Sequence, residues 1–306
     1  MQQASKKNNS LAEFIFYSNY FYGICAIGLS IEATVQQRFP LNDLWYYFLV
    51  FITTVLYYTY PYIQKPGAIT NNPRTNWYSK HYNLMRGNQV VITIILLISV
   101  ILFLKDYWNE VWNMSLSNWL LLLIFPVVAA FYYGLDALTG KYNLRKIGWL
   151  KPFVIGFIWA GLVNIYPILY YDILNKLDYI LTEQAILLFI KNFMFVTVLC
   201  IMFDIKDYSV DYINRLKTFV VKLGLRKTIF YILLPLSLLG LVSFIYYAEQ
   251  HQFNQVKVLL NTIPFILLFA AAWSLRKRRS ILYYLVVVDG LMLVKAICGS
   301  IAMVYF

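Results

Sequence analysis

The chain has 306 residues, of which 61% are hydrophobic and only 13% are charged. Because soluble proteins carry about 25% charged residues, this composition excludes a soluble globular domain, a disordered chain and a collagen-like repeat. The formal net charge of +12 comes from basic clusters between apolar runs, a pattern typical of membrane proteins rather than of nucleic-acid-binding proteins.

Nine apolar stretches are long enough to form helices that cross a bilayer, which takes about 20 residues. They lie at approximately 14–32, 44–63, 88–105, 116–135, 150–171, 184–204, 228–248, 256–275 and 280–304. Lys6 and Lys7 precede the first stretch, as in a signal peptide, but eight further stretches follow and we expect no cleavage. The sequence predicts a single membrane domain over 1–306 with a short cytoplasmic tail at 1–13.

Lysine and arginine are distributed unevenly among the segments that connect these stretches. Twenty of the 26 lie in one alternating set of segments, namely 1–13, 64–87, 136–151, 204–227 and 275–279. The opposite set holds only Arg38, Lys105, Lys176 and Lys257. Because positive loops stay on the cytoplasmic side, we predict an N-terminus inside a bacterial cytoplasmic membrane. The three long loops, and any site built from them, would then face the cytoplasm.

An acidic motif follows the sixth apolar stretch and reads Phe203-Asp204-Ile205-Lys206-Asp207-Tyr208-Ser209-Val210-Asp211. On a helix, Asp204 and Asp211 lie roughly 20° apart in projection, and Asp207 lies about 60° from Asp204. Three carboxylates on one face repel one another unless a cation lies among them. Carboxylate oxygens are ligands that suit Mg²⁺, which in turn bridges to substrate phosphates. The alternative is a solvated helix end without a ligand.

The motif and the residues after it, Lys217-Thr218 and Lys222-Leu223-Gly224, resemble the second aspartate-rich motif of the UbiA superfamily of intramembrane prenyltransferases. A second segment, Leu144-Arg145-Lys146-Ile147-Gly148-Trp149-Leu150-Lys151, resembles the basic loop between helices four and five of that family. The resemblance implies an all-α integral membrane protein with a UbiA-like bundle of nine transmembrane helices. It also implies an inside N-terminus and active-site loops that face the cytoplasm.

The same resemblance implies an activity, the transfer of a prenyl group from a prenyl diphosphate to a lipophilic acceptor with Mg²⁺ as cofactor. By position in the motif, Asp207 and Asp211 would hold Mg²⁺ on the diphosphate, and Asp204 would be a further ligand. The expected partners are a prenyl diphosphate or another isoprenoid lipid and the lipid bilayer, and no nucleic acid is expected.

Cationic residues of the two segments would stabilise the leaving group. The resemblance implies that Lys217 contacts phosphate, and that Arg145 or Lys146 stabilises the departing pyrophosphate. Metal and fixed cations together offset the negative charge that develops on that group. The second motif also departs from the family pattern, because Tyr212 and Arg215 stand where a basic residue and a glycine are usual.

The first aspartate-rich motif of the family is missing from this chain. Its expected place at the end of the second stretch reads Tyr57-Tyr58-Thr59-Tyr60-Pro61-Tyr62-Ile63-Gln64-Lys65-Pro66, and no acidic residue stands between Asp43 and Asp106. Three interpretations therefore remain open. The chain is an enzyme that uses one metal, a non-catalytic relative that binds an isoprenoid or supports a partner, or an enzyme in which cations replace the first metal, with candidates Arg74, Lys80 and Arg86.

Three ionisable residues lie inside predicted spans, namely Lys191, Asp289 and Lys295. Ionisable groups within a membrane are costly and often functional, so a small-solute transporter with a proton or ion relay is a further hypothesis. The alternative for the same residues is buried pairing between helices, or a lysine that extends to the interface.

Two other features of the sequence have simpler explanations. Cys25, Cys200 and Cys298 lie in or beside apolar stretches without CxxC spacing, so we expect neither a disulfide framework nor a metal site. The basic turn Arg276-Lys277-Arg278-Arg279 is expected to anchor the topology and to contact anionic lipid.

Overall fold

The structure is a computed structural model that describes residues 11, 13–63, 72–133, 147–178 and 180–306. Within these ranges the regular secondary structure is entirely helical. Six helices are long and apolar enough to cross a membrane: Tyr82–Trp112, Lys151–Asn175, Glu183–Ile213, Leu225–Gln250, Gln255–Ser274 and Ile281–Tyr305. By length and composition they indicate a multi-pass membrane protein, in agreement with the sequence.

Helices lie along each of the nine predicted stretches, but three of these helices are too short or too polar to count among the six. Tyr20–Gln36 has 17 residues, and Leu116–Tyr132 is apolar but short. Leu44–Ile63 has 20 residues, but its six tyrosines and three threonines lower its mean hydropathy. The count of nine spans and the inside N-terminus stay predictions.

We label the helices in chain order as α1 Tyr20–Gln36, α2 Leu44–Ile63, α3 Pro73–Lys80, α4 Tyr82–Trp112, α5 Leu116–Tyr133, α6 Lys151–Asn175, α7 Glu183–Ile213, α8 Phe219–Leu223, α9 Leu225–Gln250, α10 Gln255–Ser274 and α11 Ile281–Tyr305. Helices α6, α9 and α11 each contain a π-helical turn, at Gly161–Ile165, Ile229–Leu233 and Tyr284–Val288. The first two turns are followed within two residues by Pro167 and Pro235, which lack the backbone N–H of a regular helix.

The chain divides into two compact units. The first consists of Met1–Ile27 and Asn42–Asn113, and the second of Gly28–Leu41 and Met114–Phe306. Helix α1 therefore belongs to the first unit up to Ile27 and to the second from Gly28 onward. The prediction of a single domain over 1–306 stays a prediction.

In the first unit, helices α2 and α4 pack along each other. Their contact contains the buried side chains of Ile52, Val55 and Ile92. Branched aliphatic side chains of this kind fill a helix–helix contact without a polar group that needs a partner. Most of the remaining surface of α4 is exposed and apolar, as in Leu97 and Ile101, which is typical of a helix that faces lipid.

In the second unit, α7 packs against both α6 and α9, while α10 packs against α11. Helices α6 and α7 are the most buried of the six long helices. They approach closely at Gly156 of α6, where a Cβ atom would lie 2.2 Å from the hydroxyl oxygen of Thr197. Small residues allow such close helix contacts within membranes. Charged side chains on α7 are therefore placed in or beside the core of this unit.

Candidate functional site

Helix α7 continues through the whole acidic motif and ends at Ile213. The chain then reverses at Arg215, which adopts a left-handed backbone conformation with φ 55°, while the backbone N–H of Leu216 donates to the carbonyl of Asp211 at 2.9 Å. This is the residue that stands where the family usually has glycine, the amino acid that adopts such a conformation most readily. Asp204, Asp207 and Asp211 thus lie on one continuous helix, which is the condition under which their spacing predicts a shared face.

The three carboxylates differ in burial and in their partners. Asp204 is completely buried and accepts a hydrogen bond from the Lys151 ammonium, with 2.7 Å between Nζ and Oδ1. Asp211 is also buried, at 5% exposure. Asp207 is half-exposed and pairs with Lys206 of its own helix at 3.0 Å. The acidic motif therefore has a buried side, to which Lys151 adds a cation, and a side near the solvent.

The second carboxylate oxygen of Asp204 has no hydrogen-bond partner among the described residues, although it is buried. A buried charged oxygen without a partner is costly, and in native proteins such a group commonly binds water, an ion or a ligand. Carboxylate oxygens are the ligands that Mg²⁺ prefers, so the chemistry of this oxygen fits the predicted metal. Among the described residues, however, no three His, Cys, Asp or Glu side chains form a group that could hold a metal ion. Coordination by all three aspartates stays a prediction.

The basic segment contacts the loop that follows α7. A Cβ atom at Gly148 would lie 2.7 Å from both the carbonyl carbon of Lys217 and the backbone nitrogen of Thr218. Only a glycine permits two backbones to approach so closely. Three residues later, Lys151 reaches Asp204. The structure therefore brings together the two segments on which the resemblance depends.

The structure describes only some of the cations that the resemblance places at the site. Lys217 is exposed on the loop after α7. Arg145 and Lys146 lie outside the described residues. Lys151 contacts Asp204 directly and belongs to the basic segment, although the sequence does not predict a role for it at the site. Its position at the start of an apolar stretch was the available signal, because that position places its side chain at the same end of the bundle as Asp204.

Aromatic side chains border the acidic end of α7. The rings of Phe203 and Tyr284 have centroids 5.5 Å apart, and Tyr284 belongs to the π-helical turn of α11. The ammonium of Lys206 lies over the Phe203 ring, 5.6 Å from its centroid. The acidic motif thus adjoins packed aromatic rings of α7 and α11, of which Tyr284 is buried.

No protein-family model, curated protein or solved structure matches this chain. The resemblance to the UbiA superfamily therefore depends on the two segments quoted above. A function based on that resemblance is therefore a proposal.

In the first unit, Arg74 is engaged in local structure. It is buried, its Nε donates to the carbonyl of Tyr17 at 3.2 Å, and its guanidinium also donates to the Asn19 side-chain oxygen. Lys80 and Arg86 are exposed. Of the three cations considered as replacements for a first metal, Arg74 of α3 is thus hydrogen-bonded to the segment before α1.

The end of α2 carries tyrosines and a polar network where the first aspartate-rich motif would stand. The Asn19 amide donates to Thr59 Oγ1 at 3.1 Å and to the Tyr78 hydroxyl at 2.8 Å. The Tyr78 ring stacks on Tyr62, with ring centroids 4.5 Å apart. Burial raises the pKa of Tyr78 to about 12. The Tyr78 hydroxyl therefore stays neutral at neutral pH, and its oxygen accepts the hydrogen bond from the Asn19 amide.

A buried ionic cluster lies elsewhere in the second unit, away from the acidic motif in sequence. Glu32 of α1 pairs with Lys191 of α7 at 3.2 Å and with Lys295 of α11. The Lys191 ammonium also donates to the Gln36 side-chain oxygen at 2.6 Å. For Lys191 and Lys295 the structure therefore shows the alternative of buried pairing between helices. Glu32 was missed in the sequence, although it is the one acidic residue of its helix.

Further polar groups complete this cluster. The Gln36 amide donates to Glu32 at 2.9 Å and to the Asn261 oxygen of α10 at 3.0 Å. Gly299 of α11 leaves room for the Glu32 side chain, because a Cβ atom there would lie 2.5 Å from Glu32 Cγ. One network thus joins α1, α7, α10 and α11. Asp289, the third ionisable residue considered in the sequence, is buried in α11.

Proposed function

We propose that this protein is a UbiA-like intramembrane prenyltransferase that transfers a prenyl group from a prenyl diphosphate to a lipophilic acceptor, assisted by Mg²⁺. The site is the acidic end of α7 together with the basic segment before α6. It faces the cytoplasm of a bacterial cell.

The observation that carries the proposal is the proximity of the acidic motif and the basic segment. Lys151 contacts Asp204 at 2.7 Å, and the backbone at Gly148 packs on the backbone at Lys217 and Thr218. A diphosphate needs this combination, since carboxylates bind it through a divalent cation and lysines bind it directly. The half-buried Phe203 ring beside the motif suits an isoprenoid, because the π-electron face of an aromatic ring stabilises a carbocation.

Each group has a defined role in this proposal. Asp207 and Asp211 would hold Mg²⁺, with Asp204 as a further ligand, and Lys217 would bind phosphate oxygens together with Arg145 or Lys146. Bound Mg²⁺ would offset the negative charge of the leaving diphosphate. The lysines hold fixed positive charge beside the leaving group, and the apolar helices exclude water from the reacting carbon.

A second candidate is a non-catalytic UbiA-like membrane protein that binds an isoprenoid lipid or supports a partner. The end of α2 favours this candidate, because it carries tyrosines in place of carboxylates. Arg74, one of the cations that could compensate, is engaged with Asn19 and Tyr17. A small-solute transporter is supported less, since Lys191 and Lys295 are paired with Glu32 between helices.

Binding of radiolabelled farnesyl diphosphate to the detergent-purified protein tests the proposal, with and without Mg²⁺. We expect Mg²⁺ to strengthen binding, and we expect Asp207→Asn and Asp211→Asn to weaken the Mg²⁺-dependent part by about tenfold or more. The matched control is Glu249→Gln, which removes the charge of an exposed carboxylate on α9. Its affinity should equal that of the wild type.

The outcomes separate the candidates. Binding that depends on Mg²⁺ and on Asp207, followed by release of pyrophosphate when acceptors are added, supports the enzyme. Tight binding that is indifferent to Mg²⁺ and to Asp207→Asn favours the non-catalytic lipid-binding protein. If neither the wild type nor any variant binds farnesyl diphosphate, both isoprenoid functions are rejected.

A further inference from the structure

Lys151 contacts only one of the two carboxylate oxygens of Asp204, which suggests that another cation can replace it. The ammonium occupies Oδ1 at 2.7 Å, while Oδ2 is buried and has no hydrogen-bond partner among the described residues. A single lysine thus satisfies half of a carboxylate that is completely buried. A doubly charged cation on the same carboxylate would neutralise it more fully, because its attraction for the oxygens is about twice that of an ammonium.

Lys151 is able to leave this contact without unfolding the site. Its side chain is 20% exposed, whereas that of Asp204 is inaccessible. The residue begins helix α6, so its backbone lies at the edge of the bundle. A lysine carries its charge on a flexible four-carbon stem and can move the ammonium by several ångströms through rotamer changes alone. Asp204 stays in the core while Lys151 has access to the outside.

The released ammonium would remain at the candidate site. Lys151 follows Gly148 by three residues, and Gly148 is in backbone contact with Lys217 and Thr218. Lys151 also interacts electrostatically with Asp211, in the last turn of α7. A diphosphate bound at this end of the helix would therefore lie near a freed Lys151 ammonium and near Lys217.

We propose that Lys151 competes with a divalent cation for the Asp204 carboxylate, and that entry of the metal transfers the Lys151 ammonium to the diphosphate. This inference rests on the proposed function, because the diphosphate is its second ligand. In the metal-free protein Lys151 is the counterion of Asp204. In the loaded protein the Lys151 ammonium binds the diphosphate directly, so metal and diphosphate bind cooperatively.

Titration of the detergent-purified full chain with Mn²⁺ measures the competition directly, with free Mn²⁺ followed by electron paramagnetic resonance. We expect Lys151→Met to raise the affinity for Mn²⁺ by about tenfold, the factor expected when one hydrogen bond to a charged group no longer opposes binding. Lys151→Arg should not raise it, since the arginine fork can occupy both carboxylate oxygens. The matched control is Lys257→Met, which removes the same charge from the first turn of α10 and should change the affinity by less than about threefold.

The wild-type protein provides a second readout that does not depend on any variant folding. An amine-reactive reagent with analysis by mass spectrometry reports the accessibility of Lys151 and, as a reference, of Lys257. Mn²⁺ should increase the labelling of Lys151 and leave that of Lys257 unchanged, and inorganic pyrophosphate added with Mn²⁺ should protect Lys151 again.

The result that overturns the inference is an affinity for Mn²⁺ that Lys151→Met leaves unchanged or lowers, or an equal increase in Lys151→Met and Lys257→Met. Labelling of Lys151 that Mn²⁺ does not alter contradicts it as well. Failure of the proposed function is a different result, namely no binding of farnesyl diphosphate by a protein whose affinity for Mn²⁺ still responds to Lys151→Met.

Discussion

Glu32 and its two ionic partners carry unbalanced charge. One carboxylate is shared by two lysines, Lys191 and Lys295, and all three side chains are almost completely buried. The aromatic rings of Phe244 and Phe195 lie 5.5 Å and 5.8 Å from the two ammonium groups and offer weak additional stabilisation. A buried cluster with two cations and one anion is more sensitive to loss of the anion than to loss of either cation.

Substitutions in the cluster should therefore differ in their effect on stability. Glu32→Gln leaves two buried ammonium groups facing each other and should lower the free energy of unfolding by about 3–5 kcal/mol. Lys295→Met leaves a neutral Glu32–Lys191 pair and should lower it by much less. Thermal unfolding in detergent measures both, and equal losses for the two variants would contradict this account.

A triple variant completes the test of the charge argument. Glu32→Gln combined with Lys191→Met and Lys295→Met removes every charge of the cluster and keeps its side-chain volumes similar. Apolar replacement of a buried ionic cluster is often neutral or stabilising. The triple variant should be more stable than Glu32→Gln alone, and a further loss would show that packing rather than charge governs this region.

At the scale of elements, the candidate site depends on one loop contact. Gly148 precedes α6, and its backbone approaches the segment between α7 and α8 so closely that a side chain does not fit. The contact aligns Lys151 with Asp204 and keeps Lys217 nearby. Thr218 supports the same segment, because its hydroxyl accepts from the Val221 N–H at 3.4 Å and caps α8.

Gly148→Ala should separate this loop contact. The new Cβ would meet backbone atoms at 2.7 Å, and neither backbone can move away as a flexible side chain would. We expect the variant to lose about 1–3 kcal/mol of stability, as overpacking does, and to bind farnesyl diphosphate more weakly than the wild type does. Gly290→Ala is the matched control, since no atom lies within 4 Å of a Cβ at that position. If Gly148→Ala binds farnesyl diphosphate as well as the wild type does, the site does not depend on the loop contact.

At the scale of the whole molecule, the asymmetry of basic residues predicts which loops face the cytoplasm. The basic turn Arg276–Arg279 joins α10 and α11, and the loop around Gln252 joins α9 and α10. Helix α10 has a length of 20 residues, about 30 Å, which equals the thickness of the hydrocarbon core. These two loops are therefore expected on opposite sides of a membrane.

Cysteine accessibility tests this topology in intact cells. In a chain whose native Cys25, Cys200 and Cys298 are replaced by alanine, Gln252→Cys should react with a membrane-impermeant maleimide. Arg278→Cys should react only after the cells are permeabilised, because positive loops stay in the cytoplasm. The reverse pattern would place the acidic end of α7 outside and would exclude a cytoplasmic prenyl diphosphate as its ligand.

Much of the architecture follows from the sequence alone, because long apolar segments have few alternatives to a helix in a membrane. Composition predicts a multi-pass helical protein, and each apolar stretch corresponds to helical structure in the described residues. The spacing of Asp204, Asp207 and Asp211 also predicts that they share one face if the helix continues through them, since a helix of known pitch fixes the angles between its residues.

Partners across long sequence separations are decided only by tertiary structure. The sequence points to Lys191 and Lys295 as costly groups, but Glu32 is 159 residues from one and 263 from the other, and no local pattern relates them. In the same way, Lys151 reaches Asp204 because Gly156 and Thr197 let α6 and α7 pack closely. Helical periodicity constrains neighbours on one helix, whereas contacts between helices depend on the fit of whole surfaces.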